Sequence, residues 1–345
     1  MVSLTGCATG IGSLPFTEAS RAVETVFKYL PRIPFWPQLP KRAPGEGMVA
    51  QYVEGMPCVS LDSGEVFFDD RRREEELEVF YDRIIREDVD AFALSRQCAE
   101  GLYCFRDELR RRVPARDEIR VIKGQVTGPL TFAAAIKDEK GVALLHDEVL
   151  MQAIVQALVM KARWQQVFFG EFAKPLLMFV DEPFMSAFGS AYTALTRERA
   201  VAVFAELTAQ LKSRGMIVGV HCCGNTDWSI FTGMPTVDII NFDAFAFLDT
   251  FVLYAQSIAA FLQRGGYLCW GVVPSREFTA GMDASYFEAM IHKGIALLAQ
   301  KGVDETLLRE RLLISPSCGL GTIEPDAAPG ILEALAATAK RFDNI

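Results

Sequence analysis

The chain has 345 residues, of which 50% are hydrophobic and 23% charged, and this composition predicts a folded protein with a large core. The formal net charge of -9 argues against nucleic acid and anionic membranes as partners, because both attract lysine and arginine. Residues 1–15 lack the basic and apolar regions of an export signal, and no apolar run suits a membrane span. We therefore expect a cytoplasmic protein whose cysteines are mostly free.

Short apolar runs alternate with amphipathic stretches along the whole chain, which is typical of repeated strand–helix units. Eight candidate strands occur at residues 6–13, 33–39, 120–126, 176–182, 217–223, 237–243, 267–273 and 311–317. The amphipathic stretches predict helices at residues 17–30, 73–112 (two helices), 146–172, 194–214, 249–264, 281–301 and 328–342, with Thr17 capping the first.

Eight strands with helices between them predict one α/β domain over residues 1–345, a closed parallel (β/α)8 TIM barrel. Residues 41–72 do not fit a strand–helix unit, because they contain Pro and Gly followed by a sequence that suits a small hairpin. We interpret them as an insertion after the second strand, placed over the barrel mouth.

The fifth predicted strand ends in His221-Cys222-Cys223. Side chains two residues apart on a strand point to the same face, so His221 and Cys223 can face one point while Cys222 faces away. Barrel enzymes keep their chemistry at the carboxyl ends of the strands, which is where this pair would lie.

Cys318, in the sequence SPSCGLG, follows the last predicted strand and would reach the same end of the barrel. One imidazole and two thiolates suit zinc, and three protein ligands leave a position open, as in catalytic zinc sites. The sequence therefore predicts a catalytic zinc ion at His221, Cys223 and Cys318. Spacing alone leaves open a buried histidine with two core cysteines, and His146 and His292 are interpreted as packing or surface residues.

Five short motifs, each at a predicted strand end, occur in the order known from one enzyme family. They are Ile11-Gly12-Ser13-Leu14-Pro15, Thr127-Gly128-Pro129-Leu130-Thr131, Asp181-Glu182-Pro183, His221-Cys222-Cys223 and Ser317-Cys318-Gly319-Leu320. Together they resemble the catalytic barrel of cobalamin-independent methionine synthase and its short relatives.

The resemblance implies roles for particular residues. It implies that Ile11, Gly12 and Ser13 help hold the carboxylate of an amino acid and that Asp181 binds the amino group of homocysteine, as a catalytic residue. Zinc would be held by the residues that match the family's ligands, with Asp243 at the position of its glutamate ligand; the ligand set is His221, Cys223, Cys318 and Asp243. Glu46 stands in for the family's acidic residue after strand two.

The activity implied is that of a zinc-dependent methyltransferase. Zinc would deprotonate a thiol, with homocysteine as the first candidate, and the zinc thiolate would attack the methyl group of the donor. A methylated corrinoid protein or a methylated pterin could donate the methyl group, and the absence of the N-terminal half of full-length synthases favours the corrinoid.

Other activities stay open at this point. Residues 221–226 are also similar to the His-X-Cys-Gly-Asn-Thr run of corrinoid:coenzyme M methyltransferases, which are related to uroporphyrinogen decarboxylase. A decarboxylase would need a cluster of arginines at the strand ends, and none stands out. A non-catalytic zinc-binding barrel would have a closed site of four protein ligands and no adjoining pocket.

Overall fold

The computed structural model describes residues 2–113, 118–189, 195–279 and 281–342. Its main sheet contains seven parallel strands in the spatial order β1-β9-β8-β7-β6-β5-β4. These strands are β1 (Cys7–Ala8), β4 (Ile122–Thr127), β5 (Leu176–Asp181), β6 (Ile217–Cys222), β7 (Ile239–Phe242), β8 (Tyr267–Val273) and β9 (Leu312–Pro316). A separate antiparallel hairpin pairs β2 (Val59–Asp62) with β3 (Glu65–Phe68), so the hairpin expected within residues 41–72 is present.

Helices follow most strands of the main sheet. They are α1 (Ala19–Tyr29), α2 (Arg73–Ile85), α3 (Glu100–Arg112), α4 (Pro129–Ala135), α5 (Glu148–Phe169), α6 (Arg197–Ser213), α7 (Trp228–Thr232), α8 (Ala244–Phe251), α9 (Ala255–Gln263), α10 (Ala284–Gln300), α11 (Glu305–Glu310) and α12 (Ala327–Lys340). The sequence missed three short ones, α4, α7 and α11. The predicted cap at Thr17 is wrong, because Glu18 is the residue that precedes α1. Residue 194, the predicted start of another helix, lies outside the described residues.

The prediction of a closed eight-stranded barrel is wrong in one place, the second strand. Residues 33–39 make only two isolated bridges, between Ser13 and Gln38 and between Phe35 and Lys123, so the curled sheet is not closed by a continuous ladder. The physical reason is the sequence IPFWPQL, since Pro34 and Pro37 have no backbone N–H to donate to a neighbouring strand. The segment still spans the gap between the edge strands β1 and β4.

The two faces of the sheet bury different sets of side chains. Alternate strand residues such as Leu177, Phe179, Ile239 and Leu313 form a small apolar cluster on the face away from the helices, and Ile33 completes it. The intervening residues, such as Met178 and Val180, belong to the larger core shared with the helices. This alternation sets which side chains at the strand ends share one site.

One described segment, Ala244–Gln263, is long and apolar enough to span a membrane by length and composition. It is the succession of α8 and α9 with a short turn between them, and Phe251, Ile258 and Phe261 are fully buried. The ring of Phe251 stacks on Phe242 of β7 with centroids 3.7 Å apart. Its apolar residues therefore pack in the protein core, and the segment is weak evidence for a membrane span.

Candidate metal centre

His221, Cys223 and Cys318 form a cluster at the carboxyl ends of β6 and β9. The potential ligand atoms of these three side chains all lie within 4.8 Å of one another. His221 and Cys223 share a face because they are two residues apart, and Cys318 follows the end of β9 by two residues. The structure thus brings together three of the four residues that the sequence predicted as metal ligands; the fourth, Asp243, is not in the cluster.

The Cys222 side chain lies on the opposite face of the sheet from His221 and Cys223, as predicted from strand alternation. Its side chain is fully buried in the core shared with the helices, and its thiol donates to the carbonyl of Gly224 at 3.5 Å. Burial raises the pKa of Cys222 to about 12, so this thiol stays protonated at neutral pH. Cys222 therefore does not belong to the cluster.

The two cluster thiols polarise each other. Hydrogen bonds with the Cys318 thiol and with His221 lower the pKa of Cys223. The same contact with Cys223, together with burial, raises the pKa of Cys318. Burial alone would lower the pKa of His221, but its contacts with Cys223 and Asp181 outweigh burial and raise it. The cluster therefore favours the ionised form of the Cys223 thiol, and the thiolate is the form that binds a metal ion.

The donor set fits zinc. Zinc binds one imidazole and two thiolates tetrahedrally, and Zn–S bonds of about 2.3 Å place two sulfur ligands on one ion roughly 3.8 Å apart. The observed spacing, within 4.8 Å for all three atoms, needs only a small inward adjustment to reach that value. His221 is buried while both cysteines are partly accessible, so a fourth position could face the solvent side.

A cavity of about 650 Å³ adjoins the cluster. It is lined by all three candidate ligands and by five more residues that the sequence singled out, namely Ile11, Ser13, Glu46, Asp181 and Asp243. Arg276 and Glu277 lie at the same cavity. Glu46 and Met48 contribute from residues 41–72, which places this part of the predicted insertion beside the site.

Asp181, the last residue of β5, is buried at 6% exposure and faces the cavity. Its Oδ1 atom has no hydrogen-bond partner among the described residues. Burial raises the pKa of Asp181, although nearby Lys123 and His221 act in the opposite direction. A buried carboxylate oxygen without a partner is costly, so it suits a cationic group that enters the cavity.

Glu182, whose role the sequence did not reveal, holds the motif Thr127–Thr131 in place. Its carboxylate accepts the backbone N–H groups of Leu130 at 3.1 Å and Thr131 at 2.7 Å, at the start of α4, and the Thr131 hydroxyl as well. A Cβ atom at Gly128 would lie 2.1 Å from Glu182 Oε2, so only glycine fits there. The contact joins residues 51 positions apart, which no local pattern reveals.

The Ile11–Ser13 segment and the loop after β9 are fastened together beside the cluster. Ser13 Oγ accepts the N–H of Gly321 at 3.1 Å, and the Ser13 carbonyl accepts the N–H of Leu320 at 3.0 Å. A Cβ atom at Gly319 would lie 2.4 Å from Ser13 Oγ, which explains the glycine after Cys318. Gly12 is packed against Gln38 and Gln125, and a Cβ there would lie 2.6 Å from Gln38 Oε1.

Glu46 and Asp243 reach the cavity but are also used by the protein itself. Glu46 is buried, accepts the Leu39 N–H at 3.0 Å and pairs with Arg42. Asp243 caps α8, since its Oδ1 accepts the N–H of Ala246 at 2.8 Å. Burial raises the pKa of Asp243 to about 6. Neither carboxylate belongs to the three-residue cluster, so ligation by Asp243 stays a prediction.

Lys123 is a second residue that sequence analysis missed, although a lysine within the apolar run RVIKGQV is itself a signal. It is fully buried, donates to the Ile11 carbonyl at 2.5 Å and lies 4.5 Å from the ring centroid of Phe179. Burial lowers the pKa of Lys123 to about 8, whereas Asp181 raises it. Its charge therefore stabilises the ionised form of Asp181 from inside the sheet.

Comparisons with known proteins bear on the fold. Neither protein-family models nor curated protein sequences give a match. A solved structure from Listeria monocytogenes, named provisionally as a vitamin-B12 independent methionine synthase, aligns with a TM-score of 0.56 and 13% identity, covering 97% of this chain and 96% of that one. At this identity the likeness shows a shared TIM-barrel-like fold. A mannanase from Cellulomonas fimi aligns at a TM-score of 0.36 and 15% identity over 69% of this chain and 58% of its own, which supports no argument.

Proposed function

We propose that this chain is a zinc-dependent methyltransferase that activates a thiol, with homocysteine as the first candidate. The methyl donor would be a methylated corrinoid protein or a methylated pterin. The observation that supports this most directly is that His221, Cys223 and Cys318 share one cavity with the unpartnered oxygen of Asp181. A thiol and an ammonium group of one small molecule would each meet a suitable partner there.

Bound zinc would supply the positive charge that keeps a substrate thiol deprotonated at neutral pH. The charge of the protein ligands determines how reactive that bound thiolate would remain. Cys223 and Cys318, as two thiolate ligands, would offset part of the charge of the ion and so preserve electron density on the substrate sulfur. Asp181 would hold the substrate ammonium, and the Ser13 loop would position its carboxylate, so the sulfur is aimed before the donor arrives.

The charge of the cavity lining favours an amino-acid thiol over coenzyme M. Four acidic side chains line it, Glu46, Asp181, Asp243 and Glu277, against a single arginine among the described residues, Arg276. Carboxylates attract the ammonium of an amino acid and repel the sulfonate of coenzyme M. The same single arginine argues against a decarboxylase that binds a polycarboxylate tetrapyrrole.

A non-catalytic zinc-binding barrel is the remaining alternative. It would need a closed set of protein ligands and no adjoining space for a substrate. A three-residue cluster beside a cavity of about 650 Å³ favours a catalytic site instead.

The test is an activity panel on purified protein. Zinc-loaded and chelator-stripped protein would be assayed for methyl transfer from methylcobalamin and from a methylated pterin, each with homocysteine and with coenzyme M. We expect zinc-dependent transfer to homocysteine, restored when zinc is returned. Equal activity in the stripped protein, or transfer to coenzyme M alone, would contradict the proposal.

A further inference from the structure

Asn241, on β7, lies between the candidate metal ligand His221 on β6 and Cys269 on β8. It is paired in register with His221 on β6 and with Cys269 on β8. The side chain is fully buried, and its Oδ1 lies 2.5 Å from Nδ1 of His221. No motif in the sequence marks this residue as part of a site.

The hydrogen bonds around Asn241 fix the orientation of its amide. The amide nitrogen donates to the carbonyl of Cys269 at 2.9 Å and to the hydroxyl of Ser315 at 2.7 Å. A carbonyl oxygen can only accept, so the nitrogen of the amide must face Cys269 and its oxygen must face His221. The Ser315 hydroxyl donates its proton to the Pro316 carbonyl at 2.9 Å, so its oxygen is an acceptor for the Asn241 amide.

This fixed acceptor determines which nitrogen of His221 carries the proton. An amide oxygen at 2.5 Å requires a donor opposite it, so Nδ1 must hold a hydrogen. In the neutral ring Nε2 then has the lone pair. A metal ligand of the imidazole type needs a neutral ring with one such lone pair.

We propose that Asn241 is a positioning residue that fixes His221 as the Nδ1–H tautomer and so dedicates Nε2 to a metal ion shared with Cys223 and Cys318. The hydrogen bonds run from the Nδ1–H of His221 to Asn241 and from the Asn241 amide to Ser315, and they orient the imidazole before any ion arrives. This inference rests on the proposed zinc site, but the state of the imidazole can be measured without zinc.

Two substitutions separate positioning from simple packing. Asn241→Leu removes both the amide donor and the acceptor for Nδ1, whereas Asn241→Asp removes the donor and keeps an oxygen acceptor of the same shape. Both variants lose the two hydrogen bonds that the Asn241 amide donates to Cys269 and Ser315, so an effect of those bonds alone on zinc binding would appear in both. Only Asn241→Leu should release His221 from its tautomer.

Zinc affinity, measured by competition with a chelator, is the first readout. We expect Asn241→Leu to bind zinc roughly 10- to 100-fold more weakly than wild type, the usual cost of losing the partner that orients a metal-bound histidine. Asn241→Asp should stay within about threefold of wild type. Equal losses in the two variants would contradict the proposal and leave Asn241 a packing residue.

The second readout is the tautomer itself, in protein that cannot bind the ion. The Cys223→Ser/Cys318→Ser variant would be labelled with ¹⁵N-histidine and examined by two-bond ¹H–¹⁵N correlation, which is practical because the chain has only 3 histidines. We expect the neutral His221 ring to carry its proton on Nδ1 with Asn241, and on Nε2 or both nitrogens in exchange with Leu at position 241. A proton on Nε2 with Asn241 present would overturn the inference. Failure of wild-type protein to bind zinc would instead count against the proposed function.

Discussion

Asp181 and Glu182 are consecutive residues at the end of β5, yet their carboxylates serve opposite faces of the sheet. Asp181 faces the cavity beside His221, and Glu182 accepts the N–H groups that begin α4. Both are buried, and burial raises the pKa of each. The Asp181 carboxylate is thus available to a ligand, whereas the Glu182 carboxylate fixes the start of α4. The two roles can be tested separately.

Glu182→Gln should change how stability depends on pH. Burial raises the pKa of Glu182 from 4.5 to about 8, so between these values the folded chain holds a proton that the unfolded chain has released. Wild-type stability should therefore fall as pH rises from about 5 to 8, by at most about 1.4 kcal/mol per pH unit from this group. Glutamine does not titrate, so the free energy of unfolding of the variant should rise relative to that of wild type as the pH increases over this range.

Urea unfolding of both proteins at intervals from pH 5 to 8 would measure the difference in free energy of unfolding. Glu24→Gln, at an exposed position of α1, is the matched control and should differ from wild type by a constant amount. A constant difference for Glu182→Gln as well would mean that Glu182 is already ionised in the folded protein.

Asp181→Asn should weaken the binding of an amino-acid thiol while the zinc content stays unchanged. The substitution removes the negative charge but preserves the shape of a side chain that is not in the metal cluster. Charge-assisted hydrogen bonds contribute about 1.5–3 kcal/mol, so we expect KM for homocysteine to rise roughly 10- to 100-fold. Steady-state kinetics with saturating methyl donor would measure this.

The same assay with 4-mercaptobutyrate, which has the thiol and carboxylate of homocysteine but no ammonium, supplies the control. Wild type and Asp181→Asn should use this thiol equally well. If Asp181→Asn lowered activity with both thiols to the same extent, Asp181 would not be the ammonium partner.

Asp243→Asn distinguishes a helix cap from a fourth zinc ligand. Asparagine caps helices about as well as aspartate, so the bond to the Ala246 N–H should survive and thermal stability should change little. Because Asp243 lies outside the three-residue cluster, we expect zinc affinity within about threefold of wild type. Chelator competition measures the affinity, and a tenfold or larger loss would make Asp243 a ligand, as the sequence predicts.

The metal cluster could be predicted from sequence because it depends on local geometry. Alternation along a strand separates His221 and Cys223 from Cys222 whatever the rest of the chain does. Cys318 follows because parallel strands end at one edge of a sheet, and the β9 strand lies where its sequence predicted.

What could not be predicted depends on contacts between distant residues. Nothing near Asn241 in sequence shows that Cys269 and Ser315 will fix its amide. The role of Glu182 requires the turn at Gly128 to reach it from the neighbouring strand. Residues 33–39 have the apolar pattern of a strand, but the two prolines within them limit the backbone hydrogen bonds that a continuous ladder needs.

The most direct test of the metal centre is the zinc content of four proteins purified in parallel, measured by elemental mass spectrometry. They are wild type, His221→Ala, Cys318→Ala and Cys222→Ala; the last is the matched control, because Cys222 lies beside the ligands in sequence but on the opposite face of β6. We predict about one zinc per chain in wild type and in Cys222→Ala, and almost none in His221→Ala and Cys318→Ala. Full zinc content in Cys318→Ala, or a wild-type protein that holds none after loading, would contradict the account.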